Sequence, residues 1–97
     1  MDAMIGSTRK RDRLEVIFDI LRIIQANHNS ILPTPLLRKS NLSTARFAEY
    51  YQELVMKGFV KEIIDNKNRS YITLTDLGFR YVEKYTLILG FIKEFEL

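Results

Sequence analysis

The chain has 97 residues, 46% of them hydrophobic, with 15 Lys and Arg against 12 Asp and Glu, a net charge of +3. This fits one folded domain and excludes disorder of the whole chain; with no Cys and a single His, disulfides, thiolate chemistry and the usual zinc sites are excluded as well. A surplus of +3 is too small to argue for a polyanionic partner by itself, so the placement of the charges has to decide.

Residues 1–10 read as a flexible basic N-terminus. They lead into the run Arg9, Lys10, Arg11 and Arg13, which is either a solvated helix start or an arm that touches phosphate. Leu14, Ile17, Leu21 and Ile24, with Phe18 beside them, predict an amphipathic helix from about Arg11 to Ala26. Val16, Ile20 and Ile23 lie off that stripe, so the helix is expected to be buried on two sides. His28 falls in the polar Asn27–Ser30 loop as a solvated residue.

A short helix follows, Pro35 to Ser40, with Thr34 as its expected cap and Pro35 at the first helical position. Leu36 and Leu37 face inward, Arg38 and Lys39 outward. Asn41-Leu42 makes a tight turn into the stretch from Ser43 to Gly58. Ser43 caps this third helix and Gly58 ends it. Phe47, Tyr50, Tyr51, Leu54 and Val55 form its apolar face; Thr44, Arg46, Glu49, Gln52 and Glu53 lie opposite. Phe59 to Ile64 and Ser70 to Thr75 read as two strands around the polar turn 65–69, whose tip carries Lys67 and Arg69.

Thr75 caps a last helix from Asp76 to about Leu97, with Leu77 anchoring its start. Tyr81, Tyr85, Ile88, Ile92 and Phe95 step by four and three along it, a heptad-like seam, and Leu89 and Phe91 widen the apolar surface. So much apolar area on a terminal helix calls for a partner. Helix, turn, helix and hairpin in this order predict a mainly α fold with a small β-hairpin, a winged helix-turn-helix over 11–78, followed by a long C-terminal dimerisation helix over 79–97. In such a domain the second helix of the helix-turn-helix enters the DNA major groove.

Two stretches resemble the small archaeal winged-helix DNA-binding proteins. One is Thr34-Pro35-Leu36-Leu37 through Asn41-Leu42-Ser43, then Tyr50-Tyr51, Leu54 and Gly58-Phe59-Val60. The other is Leu74-Thr75-Asp76-Leu77-Gly78, similar to the Leu-Thr-x-x-Gly that closes the wing in many such domains. Ser40 stands where that family usually has Ala, and an aromatic residue sits one place early, at Tyr71, with Ile72 in the usual position. The resemblance implies a dimer joined by an antiparallel pairing of the last helix, bound to duplex DNA as a transcriptional regulator or a chromatin-like protein.

The site residues expected to contact DNA are Ser43, Thr44 and Arg46 at the start of the third helix, Arg38 and Lys39 before it, and Lys67 and Arg69 on the wing. Arg pairs bidentately with guanine, and the flanking cations hold the backbone. The expected dimer interface is Tyr81, Tyr85, Ile88, Leu89, Ile92 and Phe95. Glu49 and Glu53 would repel phosphate along the rest of the third helix, which confines contact to its N-terminus. The alternative reading is a winged helix used for protein contact in a larger assembly. Scattered acids with no nucleophile–base pair and no Gly-rich phosphate loop argue against an enzyme. No apolar run approaches the ~20 residues of a membrane span, and the N-terminus has no signal-peptide stretch. The expectation is a cytoplasmic, nucleoid-associated protein with no cofactor, no metal and no membrane partner.

Overall fold

Helix α1 (Arg13–Ala26) starts where Asp12 accepts a bond from the Glu15 amide, an N-cap just inside the expected start. The computed structural model describes residues 11–97, so the proposed flexible N-terminus, with Arg9 and Lys10, lies outside the described residues. Val16, Ile17, Ile20, Leu21 and Ile24 are each no more than 2% exposed, which confirms burial on two sides. Of the expected stripe, Ile17, Phe18, Leu21 and Ile24 are buried, with Val16 and Ile20 as the second side, and only Leu14 is half exposed. Leu14 belongs to the first turn and lines an open groove with Tyr81 and Tyr85.

Helix α2 (Pro33–Ser40) begins at Pro33, earlier than the expected Pro35. Leu32 is its N-cap and offers no side-chain bond, so Thr34 does not cap; Pro33, lacking an amide hydrogen, takes the first position instead. Asn41 ends the helix in the left-handed conformation, φ 60°, which Asn tolerates better than most residues. Ser40 is buried, donates to the Leu37 carbonyl at 2.7 Å and accepts from the Leu42 amide at 3.3 Å. The hydroxyl therefore builds the turn, which gives this Ser a purpose where the resembling family has Ala.

Helix α3 (Thr44–Met56) starts at Ser43, whose hydroxyl accepts from the Arg46 amide at 3.1 Å. Phe47 and Leu54 are buried and Tyr50 and Tyr51 half-buried. Val55, expected inside, is 43% exposed; it lies on the flank of the helix beyond Tyr51. Gly58, at φ 76°, turns the chain into the hairpin.

Strands β1 (Val60–Ile64) and β2 (Ser70–Leu74) pair antiparallel with Glu62 opposite Ile72 and Ile63 opposite Tyr71. Ile31 adds a short third rung, exchanging two backbone bonds with Ile72. In this register Ile72 fills the core and is fully enclosed, while Tyr71 stays half-buried on the other face. The early aromatic thus does not displace the core residue.

Helix α4 (Asp76–Glu94) has 19 residues, about 28 Å of helix. Thr75 caps it, accepting from the Gly78 amide, while donating its hydroxyl hydrogen to the Gly58 carbonyl. Leu77 is 39% exposed and does not anchor the start; Gly78 and Val82, one turn apart, are the buried residues. A Cβ on Gly78 would meet the Phe59 carbonyl oxygen at 2.2 Å, so a glycine lets α4 lie against the root of β1. Gly78→Ala tests this. Helix propensity alone favours Ala by about 1 kcal/mol, but a clash with backbone cannot be relieved by a rotamer change. We expect a net loss of ~1–3 kcal/mol in denaturant unfolding; unchanged or raised stability would show that this approach is not required.

Candidate nucleic-acid interface

The first turn of α3 projects from the tight Asn41-Leu42 turn, with Ser43, Thr44, Ala45 and Arg46 all exposed. Ser43 spends its acceptor on the cap and keeps its hydroxyl hydrogen. Arg38 and Lys39, in the last turn of α2, are exposed as well. They lie where cations favour the helix dipole, and among the described residues neither is held in an ion pair. The structure thus leaves every expected contact residue of the helix-turn-helix open to a partner.

The described part of the basic run behaves differently. Arg11 donates to Asp19 at 2.8 Å and to the Ser40 carbonyl at 3.1 Å, tying the approach to α1 to the end of α2. Arg13 pairs with Glu53 of α3. Both are structural clamps, not a free arm. Arg13 also removes part of the expected repulsion, because one of the two acidic groups on α3 is already neutralised from within the protein. Sequence spacing gives no signal for the Arg13–Glu53 pair, since its partners lie on separate helices.

Arg46 sits beside this pair, with its guanidinium carbon 5.7 Å from the centre of the Tyr50 ring. A ring face attracts a cation in this geometry, so the charge is held close to the α3 surface. On the opposite flank the Tyr51 hydroxyl donates to Glu62 of β1, and Ser70 of β2 donates to the same carboxylate at 3.1 Å. Burial, then the Glu62 hydrogen bond and charge, push the Tyr51 phenol well above its usual range. One carboxylate therefore pins the hairpin to α3.

The wing tip is organised by Asp65. Its carboxylate accepts from the amides of Lys67 at 2.9 Å and Arg69 at 2.8 Å, and from Arg69 Nε at 3.0 Å. Asn68 takes the left-handed conformation, φ 63°. Arg69 also lies over the Tyr71 ring at 5.6 Å. The two wing cations are thus unequal: Arg69 is held, whereas the Lys67 side chain is exposed and extends from the tip.

The seam on α4 is divided. The Tyr81 hydroxyl donates to the Leu14 carbonyl at 2.8 Å, and Tyr85 packs on Phe18 with ring centres 4.5 Å apart. Burial, then the neighbouring Tyr85, push the Tyr81 phenol up to about 12. These two rings join Leu14, Phe59, Leu77 and Ile88 in an apolar groove of about 390 Å³. Beyond Thr86 every residue is exposed, including Ile88, Leu89, Phe91, Ile92 and Phe95. Among the described residues there is no cluster able to hold a metal ion and no helix long and apolar enough to cross a membrane.

The Asp65 arrangement predicts a pH response. The backbone bond from Arg69, then those from Lys67 and the Arg69 side chain, hold the Asp65 carboxyl below its ordinary 3.8. A depressed folded value means that the wing's hold is complete above the ordinary value and is lost as pH falls through the lower folded one. In an NMR titration the Lys67 and Arg69 amide shifts should move together with a midpoint below 3.8. A midpoint at or above that value would contradict the cap.

Comparison with known proteins agrees with this geometry. The chain is 36% identical over 69 residues to an uncharacterized protein of Methanocaldococcus jannaschii, a match covering 71% of this chain and 64% of that protein. The chain therefore spans somewhat less than two thirds of that relative's length. Among solved structures it is similar to Sso10a-2, a DNA-binding protein from Sulfolobus solfataricus, with a TM-score of 0.67 and 26% identity, covering 89% of this chain and 83% of that one. The profile of one family, described as winged helix-turn-helix, matches residues 10–93. With α2, the Asn41 turn, α3 and the hairpin in that family's order, and the profile running through most of α4, the chain belongs to the winged helix-turn-helix family.

Proposed function

We propose that the chain binds duplex DNA as a homodimer, in transcriptional regulation or chromatin organisation. The observation that carries this reading is the exposed α3 N-terminus, bracketed by Arg38 and Lys39, which have no ion-pair partner among the described residues, and by a wing pinned to α3 through Glu62. The likeness to a DNA-binding protein of Sulfolobus solfataricus supports it. In this reading Ser43, Thr44 and Arg46 enter the groove or touch its walls, Arg38 and Lys39 hold one phosphate strand, and Lys67 and Arg69 hold the other. The modest net charge is no obstacle, because Arg38, Lys39, Arg46 and Lys67 are exposed on the helix-turn-helix and the wing tip while Arg11 and Arg13 are spent internally.

Salt dependence tests the reading. Log affinity for a duplex should fall linearly with log salt concentration. Replacing both Lys67 and Arg69 by Ala should lower affinity for all sequences alike and make the slope shallower by about 1 for each phosphate no longer neutralised. Affinity indifferent to salt would remove the proposal and favour protein contact as the role of the fold.

The dimer rests on the distal half of α4. Ile88, Leu89, Ile92 and Phe95 are between 39% and 57% exposed in the single chain. Tyr81 and Tyr85, already packed on their own α1, supply the floor on which a second helix would lie. The seam is nearly self-complementary when reversed, so an antiparallel partner sets Phe95 against Tyr81 and Ile88 against itself. Ile88→Glu with Ile92→Glu should yield folded monomers in light scattering, because the new carboxylates would otherwise be buried without partners. DNA affinity should then fall, since a monomer engages the duplex through one domain and forgoes avidity. A monomer before mutation, at micromolar concentration, would refute the dimer.

A further inference from the structure

The outward ridge of α3 carries residues that none of the cations explains. Successive helical residues advance by about 100°. With Phe47 and Leu54 buried at the inner pole, the outer pole falls on Ala45, Glu49, Gln52 and Met56, with Ala48 beside them, and all five are exposed. Arg46 is displaced from this ridge toward Arg13 and Glu53, where the Tyr50 ring holds its guanidinium. Among the described residues, the Gln52 amide and the Glu49 carboxylate have no hydrogen-bond or ion-pair partner.

We propose that α3 reads base edges through Gln52 and Glu49, Gln52 pairing with adenine and Glu49 accepting from the amino group of cytosine, while Arg46 contacts phosphate. This rests on the duplex-DNA reading above. The argument is one of donors and acceptors. Guanine shows the major groove two adjacent acceptors, which suit the all-donor fork of Arg; on this ridge the Gln52 amide is the one donor group, and its carbonyl would face the second acceptor. Adenine shows one donor and one acceptor, which an amide matches with both of its atoms. Glu49 can only accept, and the cytosine amino group is the donor that suits it. Ala45 and Ala48 keep the ridge low enough for Gln52 to reach the groove floor, and their methyls suit that of thymine. From Ala45 to Gln52 the ridge runs about 10 Å, the length of ~3 base-pair steps.

A carboxylate near the groove also repels phosphate. Glu49 is thus a residue that trades affinity for discrimination, which explains why an acid stands at the outer pole of a helix meant for DNA.

The test starts with duplexes selected from a random pool by the full chain. Selected sites should share adenine and cytosine positions. Exchanging the shared A·T pair for G·C should weaken the unmutated protein by about 5- to 150-fold. Gln52→Ala, checked for folding by circular dichroism, should bind the two duplexes equally. Glu49→Gln should bind every duplex more tightly and lose its preference at the cytosine position. Arg46→Ala should weaken binding to both duplexes by the same factor. Selection of guanine-centred sites whose preference vanishes in Arg46→Ala would overturn the assignment and move base reading to Arg46. Salt-dependent binding with no sequence preference would overturn it too, leaving the DNA reading intact. Absence of binding to any duplex would overturn both.

Discussion

The structure depends on the enclosure of α1. Five of its side chains are almost wholly withdrawn from water, each contributing roughly 1.5–3 kcal/mol of apolar burial before entropy is subtracted. α2, β2 and the first half of α4 all pack against this one helix. The helix-turn-helix and the hairpin are therefore positioned relative to a common rod and not merely to each other. The rod's N-terminal end also reaches the helix-turn-helix, because Arg11 grips the end of α2 and Arg13 grips α3. Displacing α1 would move both halves of the helix-turn-helix together.

Charge follows the same logic. The cations nearest α1 neutralise Asp19 and Glu53, and Arg69 is shared between Asp65 and the Tyr71 ring. Among the described residues Arg38, Lys39 and Lys67 are exposed without an ion pair, and Arg46 is half restrained by Tyr50. The field at a surface is governed by where charges are left unpaired, so a small net charge does not by itself exclude a locally positive surface. Glu62 bonds to Tyr51 and Ser70 at once. This adds a polar tie between α3 and the hairpin to the apolar packing of Leu54, Val60 and Ile72 in the core they share.

Much of this architecture is legible in the sequence. Caps at Ser43 and Thr75, the Asn41 turn and the hairpin all follow from local residue chemistry, which acts over a few positions and survives in any context. The errors have a common cause. Leu14, Val55 and Leu77, expected to face inward, stay exposed, while Val82, which lies outside the expected seam, takes the interior. Periodicity identifies an apolar face but not how far along the helix its neighbours extend. The pairs Arg13–Glu53 and Tyr51–Glu62 are invisible in the sequence because their partners are brought together only by the fold. By spacing alone Gln52 is one member of a polar face; its position at the pole emerges once Phe47 and Leu54 define the inward direction. The cap at Asp12 is the exception: Asp followed by Glu three residues later is a readable start signal.

The distal half of α4 has an energetic character of its own. Beyond Leu89 every residue is exposed, and a Cβ at Gly90 would touch nothing within 4 Å. Fewer than three turns of helix without tertiary support are only marginally stable in water, and a glycine lowers that further. This segment belongs to the low end of the molecule's local-unfolding ladder, where opening does not require melting of the core. In the proposed dimer its backbone order would vary with protein concentration: ordering entropy would be subtracted from the association energy, and a heat-capacity change would accompany assembly because apolar area and helix form together.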